Sequence, residues 1–342
     1  MHDVPSFTFS TWYLSNGFDI IVRLILHGSK VIALISNRYR ALAMATCIGM
    51  FLVLVAGSLV TNTDSGRGCG DDWPLCHGKF IPAHTLESLI EYSHRLITGF
   101  VGLLVLAVFI ATLMFYRRYT EAVVYVSAAG FFTLLQAVLG AIAVVWPQSA
   151  AVLALHFGFS ILAFVSTLLL LMWANRMRRG HGIDKPAAAV PRSVFRLVLA
   201  SLIYSYVVVY IGAFVRHTDS AGGCLGWPLC NGKFIPVWEG ATRIVFTHRV
   251  AAMILLLFIG WVWLYVRRVC TDNLELKKSA NIAFILICAQ VLSGALLTVT
   301  ITDEDWFVFT SILHNVIISI LFGILTDLMI RAWKWREGRG RE

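Results

Sequence analysis

The chain is short of charge. Only 14% of its 342 residues are Asp, Glu, Lys or Arg, and just 19 are acidic. Soluble domains carry about 25% charged residues, so the two globules that this length would otherwise suggest could not be covered with polar groups. No small-residue cleavage site follows the first apolar stretch, which argues against a cleaved signal peptide. A nucleic-acid module is also missing, although the net charge is +9. The sequence has instead 58% hydrophobic residues and a mean hydropathy of +0.77. It reads as an integral membrane protein.

Eight apolar runs approach or exceed the roughly 20 residues needed to cross a bilayer: Ala41–Val60, Ser88–Phe115, Ala122–Val145, Ala151–Ala174, Val194–Val215, Thr242–Val266, Ala280–Ile301 and Phe307–Ile330. Backbone groups in lipid must be satisfied within the segment, so each run is expected to be a helix. Of the 28 Lys and Arg residues, 21 fall before the first run, in alternate connections or after the last run. The positive-inside rule then places both termini in the cytoplasm and explains the basic balance as topology. Ahead of the first run, Asp19, Arg23, His27 and Lys30 form one stripe on the otherwise apolar Gly17–Ser36. That pattern suits an amphipathic helix lying on the membrane surface.

The sequence is duplicated. Thr63-Asp64-Ser65 through Cys69 and on to Trp73-Pro74-Leu75-Cys76 and Pro82 recurs as Thr218-Asp219-Ser220 through Cys224 to Trp227-Pro228-Leu229-Cys230 and Pro236, with 14 of 19 positions identical. Twelve residues beyond each final proline stands a His-Arg pair, His94-Arg95 and His248-Arg249, and Gln136 and Gly140 match Gln290 and Gly294. The expected fold is all-α: eight transmembrane helices as two tandem four-helix bundles, related by a parallel pseudo-twofold axis along the membrane normal. The expected units are a cytoplasmic N-terminal segment (1–39), a first half (40–174), a basic linker (175–193), a second half (194–331) and a basic tail (332–342).

Topology sorts the ten histidines. His94 and His156 lie on the second and fourth spans, His248 and His314 on the sixth and eighth, all near the outer end. Imidazoles at membrane depth mark functional sites. Zinc would call for three or four ligands, whereas heme iron takes two axial imidazoles and sits well inside a four-helix bundle. Two heme sites follow, one in each half. His2, His27, His77, His84, His181 and His217 are assigned to surface or loop roles. Arg95 and Arg249 would neutralise heme propionates, the alternative being interfacial snorkelling.

The halves differ at one position. Glu91, one turn before His94, has Val245 as its counterpart. A carboxylate over only one of two similar sites suggests that the first half does chemistry and the second transfers electrons. Glu87, on the same face, competes for the role, and Glu91 could simply pair with Arg95 at i+4. Of the seven cysteines, Cys69 and Cys76 share one outer loop and Cys224 and Cys230 the equivalent one. An oxidising compartment favours a disulfide in each, with free thiols or a redox role as alternatives.

With Glu91-Tyr92-Ser93-His94-Arg95, the two Trp-Pro-Leu-Cys loops, the histidine quartet and the duplication together, the chain resembles the heme A synthase family of cytochrome oxidase assembly, over about residues 40–335. Its cysteine pairs resemble the branch with disulfides in both outer loops. The resemblance implies an oxidoreductase that converts the C8 methyl of heme O to the formyl of heme A. Two hydroxylations would pass through the alcohol, heme I, before loss of water. It further implies His94 and His156 as axial ligands of the heme being converted, His248 and His314 as ligands of a resident heme b, and Glu91 as the catalytic carboxylate. Molecular oxygen would be consumed, heme O synthase would act upstream, and a ferredoxin or a quinol would be the reductant. The implied setting is the bacterial plasma membrane with the heme sites near the outer face, and homo-oligomerisation is compatible with it. A quinone-linked cytochrome with two b hemes, and a heme carrier without enzymatic activity, are the rival readings.

Overall fold

A computed structural model describes residues 35–71, 73–80, 84–145, 149–179 and 189–337. The amphipathic segment up to residue 34, the linker residues 180–188 and the tail from residue 338 lie outside the described residues, as do His2, His27 and His181. Among the described residues are eight helices long and apolar enough to cross a membrane: α1 (Asn37–Asn62), α2 (Leu86–Phe115), α3 (Thr120–Val145), α4 (Ala150–Arg178), α5 (Arg192–His217), α6 (Gly240–Val269), α7 (Leu274–Val299) and α8 (Glu304–Lys334). Among the described residues extended structure is limited to isolated bridges. The all-helical membrane architecture expected from the apolar runs is therefore observed.

Every helix begins before its apolar run, because polar residues carry the first turns; at the far end α2 and α3 stop with their runs at Phe115 and Val145, and α7 stops at Val299, two residues short of Ile301. Ser36, Thr85, Ser149, Asn273 and Asp303 cap α1, α2, α4, α7 and α8, each side chain accepting from a backbone N–H three residues on. Such caps satisfy donors that have no partner inside the helix. At 26 to 31 residues and 1.5 Å per residue, the helices are about 40–45 Å long, enough to span hydrocarbon and reach into both interfaces.

Within the first four helices, α1 packs on α2 and α4, and α3 on α2 and α4; within the last four, α5 packs on α6 and α8, and α7 on α6 and α8. The two sets meet where α4 touches α5 and α8, and where α1 touches α8. Consequently α4 and α8 are the most buried of the spans, whereas α2, α3, α6 and α7 turn much of their surface outward. Phe100, Leu103, Ile110 and Met114 on α2 are exposed, as expected of side chains facing lipid rather than protein.

Polar contacts close the two ends. At the loop end, Arg216 at the C-terminus of α5 pairs with Asp64 at 2.7 Å and donates to Asn62 Oδ1 at the end of α1. Deeper between the sets, Asn315 of α8 donates to Ser58 Oγ of α1 at 2.7 Å. At the opposite end, Asp327 of α8 is buried between Arg176 of α4, at 2.6 Å, and Arg331 one turn on. Arg331 also reaches Ser279 and Glu275 of α7. A cluster of Tyr39, Tyr116, Tyr119 and Trp173 packs at that same end, the belt position such rings favour.

Candidate heme sites

A cavity of about 2160 Å³ is lined by His94, His156, His248 and His314 together. It exceeds the roughly 300–1,000 Å³ of a pocket for one drug-sized ligand. Each pair draws one histidine from an outward-facing helix (α2 or α6) and one from a buried helix (α4 or α8). Glu91, Arg95, Arg249, Gln136 and Gln290 also line this space.

Every one of these imidazoles lies against a glycine on the preceding helix. A Cβ at Gly57 would come 3.2 Å from His94 Cε1, at Gly140 3.5 Å from His156, at Gly212 2.8 Å from His248 and at Gly294 3.2 Å from His314. The missing side chain is what leaves room for the ring against the neighbouring backbone. Gly140 and Gly294 stand out in the sequence as repeat matches; Gly57 and Gly212 share the repeat too, and that spacing is the signal that could have identified them. Nδ1 of His94, His156 and His248 is buried with no hydrogen-bond partner among the described residues. His314 differs, contacting Gln290 Nε2 through Nε2 and Ser293 Oγ through Nδ1.

At the mouth, the loops are closed by disulfides, Cys69–Cys76 and Cys224–Cys230. Glu91 is 3% exposed. One of its oxygens accepts from the Cys69 backbone N–H at 2.8 Å and the other pairs with Arg95, whose guanidinium also donates to the Leu75 carbonyl at 2.7 Å. The i+4 pairing with Arg95 is thus present, but Glu91 also clamps the loop. In the second half Val245 is buried against Cys224 and Cys230, and Arg249 donates straight to the Cys224 and Leu229 carbonyls. Both arginines therefore tie helix to loop, a role that the spacing alone did not reveal. Glu87 is exposed and does not line the cavity as Glu91 does.

The remaining histidines divide. His77 is exposed, with Nε2 3.1 Å from the Gly68 carbonyl oxygen, and His84 is exposed as well. His217 is not a loop residue. It ends α5, is partly buried and lines the cavity, because the helix runs two residues past the apolar run to Val215. Among the described residues no three His, Cys, Asp or Glu side chains converge as a metal-binding group. Facing imidazoles in an apolar cavity could instead hold an iron porphyrin through two axial ligands.

Comparison with known proteins gives a consistent picture. The family model described as cytochrome oxidase assembly protein matches residues 40–89 and 84–326. A heme A synthase of Exiguobacterium sp. is 38% identical over 288 residues, covering 84% of this chain and 91% of that protein. One of Alkalihalophilus pseudofirmus is 37% identical over 291 residues, covering 85% and 96%. Another, of Geobacillus thermodenitrificans, is 36% identical over 303 residues, covering 86% and 92%.

Proposed function

The chain belongs to the cytochrome oxidase assembly protein family, and from that premise we propose that it is a membrane oxidoreductase converting heme O to heme A. His94 and His156 would hold the heme being converted, and His248 and His314 a resident heme b, in two tandem units related along the membrane normal. Four observations support the fit. Imidazoles face one apolar cavity, three of them keep an unpartnered buried nitrogen, glycines seat the rings, and the volume exceeds that of one ordinary ligand pocket. Bound iron porphyrin supplies the redox chemistry, with molecular oxygen as oxidant and a ferredoxin or a quinol as reductant.

The observation that carries the enzymatic reading is Glu91. Its carboxylate lines the cavity one turn from His94, while Val245 fills the same place with a hydrocarbon. Arg95 and the Cys69 N–H hold that carboxylate in a fixed orientation. Were the reacting methyl bound beside it, this carboxylate would take up a proton or stabilise positive charge during the two hydroxylations. Arg95 and Arg249, held in place by the loop carbonyls, would be the cationic groups that neutralise the propionates. The cytoplasmic termini and the placement of both sites toward the outer face follow from the distribution of Lys and Arg. Heme O synthase, whose product is the substrate, is the upstream partner.

Glu91→Gln tests the assignment while keeping an acceptor for Cys69 N–H. Hemes extracted from the purified variant and separated by chromatography should show heme O, with heme A lost and heme b retained at the level of the unsubstituted protein. Full conversion in Glu91→Gln would remove the catalytic role. Heme B alone in the unsubstituted protein would favour a two-heme cytochrome.

A further inference from the structure

His314 is the one histidine of the four whose ring is held at both nitrogens among the described contacts. Ser293 Oγ lies 2.9 Å from the Gln290 carbonyl oxygen. A carbonyl only accepts, so Ser293 is the donor in that contact. The same Oγ is 2.8 Å from His314 Nδ1 and, with its proton on the carbonyl, accepts there. In that state Nδ1 carries the hydrogen and Nε2 keeps its lone pair, the tautomer that a metal ligand through Nε2 requires. Gln290 Nε2 lies 2.9 Å from His314 Nε2 and donates to the lone pair in that tautomer.

In the first half the arrangement is dismantled. Leu139 stands where the repeat has Ser293, and the Gln136 Oε1 accepts instead from Ser160 Oγ at 3.1 Å. Ser160, four residues after His156, has Ile318 as its counterpart after His314. His156 Nδ1 is left buried without a partner among the described residues.

We infer that Ser293 is a positioning residue that fixes the His314 tautomer with Nε2 free for iron, and that this separates a permanently held heme from an exchangeable one. The inference rests on His314 being an axial ligand. A partner accepting from the distal N–H orients a metal-binding imidazole and makes it more basic. Greater donation favours the oxidised metal, so the His314-side heme is held more firmly and at lower potential than it would be without Ser293. His156, lacking such a partner, is the weaker ligand. A heme that must enter as substrate and leave as product needs that weakness. Gln290, 2.9 Å from that nitrogen, would move aside for a bound iron.

The test uses the purified full-length protein with its hemes, Ser293→Ala, Ser293→Thr and His314→Ala. Redox titration followed in the visible bands, with electron paramagnetic resonance of the oxidised protein, reads the second heme directly. Ser293→Ala should raise its midpoint potential and shift its g values, and Ser293→Thr should restore both. Loss of this heme from Ser293→Ala with retention in Ser293→Thr also supports the role. Loss from both variants overturns it, because threonine keeps the hydroxyl. Unchanged potential and g values in Ser293→Ala, with the heme missing from His314→Ala, overturn the Ser293 role alone. A second heme unaffected in His314→Ala removes the ligand assignment on which it stands.

Discussion

Single atoms decide where the imidazoles sit. A Cβ at Gly212 would meet His248 Cε1 at 2.8 Å, whereas one at Gly140 would meet His156 at 3.5 Å, an ordinary contact. Overfilling a packed site costs about 1–3 kcal/mol, and at Gly212 the ring itself is what must give way. Gly212→Ala is thus expected to lose or distort the His248-side heme spectrum, while Gly140→Ala leaves the His156 side close to normal. Reconstitution with heme, followed by absorbance, distinguishes them; equal behaviour of the two variants would refute the seating role. The repeat made Gly140 and Gly294 conspicuous in the sequence. Nothing in one dimension said that their missing side chains would face imidazoles on the next helix.

At the scale of elements, each disulfide-bearing loop is a small clasp. Its disulfide closes the chain, an arginine from the following helix reaches its carbonyls, and Ser88 or Thr242 at the start of that helix binds a glycine carbonyl of the loop. Alkylation of the denatured protein without reductant should label Cys47, Cys270 and Cys288 and leave the four loop cysteines unmodified; mass mapping that found all seven labelled would exclude both bridges. In the folded protein, burial pushes the Cys270 thiol up from its ordinary value. Thiolate is the reactive form, so at neutral pH Cys270 should react slowly and speed up as pH rises. The two-cysteine spacing was readable from sequence. Which backbone groups the neighbouring arginines would seize was not, because that depends on the path of a loop over a helix end.

For the molecule as a whole, the join between the two helix sets rests on few polar contacts in an apolar seam. Asp327 is 1% exposed and links α4 to α8 through Arg176 and Arg331. Removing one partner of a buried ion pair leaves the others desolvated and costs about 3–5 kcal/mol. Asp327→Ala should therefore lower the thermal stability of the detergent-solubilised protein more than Asp64→Ala, whose side chain is 84% exposed beside Arg216 and in the range of about 0–1 kcal/mol expected of surface pairs. Equal melting temperatures for the two variants would show that the buried network does not secure the seam.

Sequence alone determined the eight spans, their helical state and the histidines at matched depth, because lipid leaves the backbone no alternative to helices and makes every buried polar residue conspicuous. It also exposed the Glu91–Val245 difference, since duplication supplies its own comparison. Tertiary structure decided which of these groups share a cavity, that Glu91 rather than Glu87 faces it, and that His217 belongs to it. It also decided that His314 is held at both ring nitrogens while His156 is not. Those outcomes depend on how neighbouring helices pack and rotate against each other, and hydrogen bonds between helices are set by that geometry rather than by spacing along one chain.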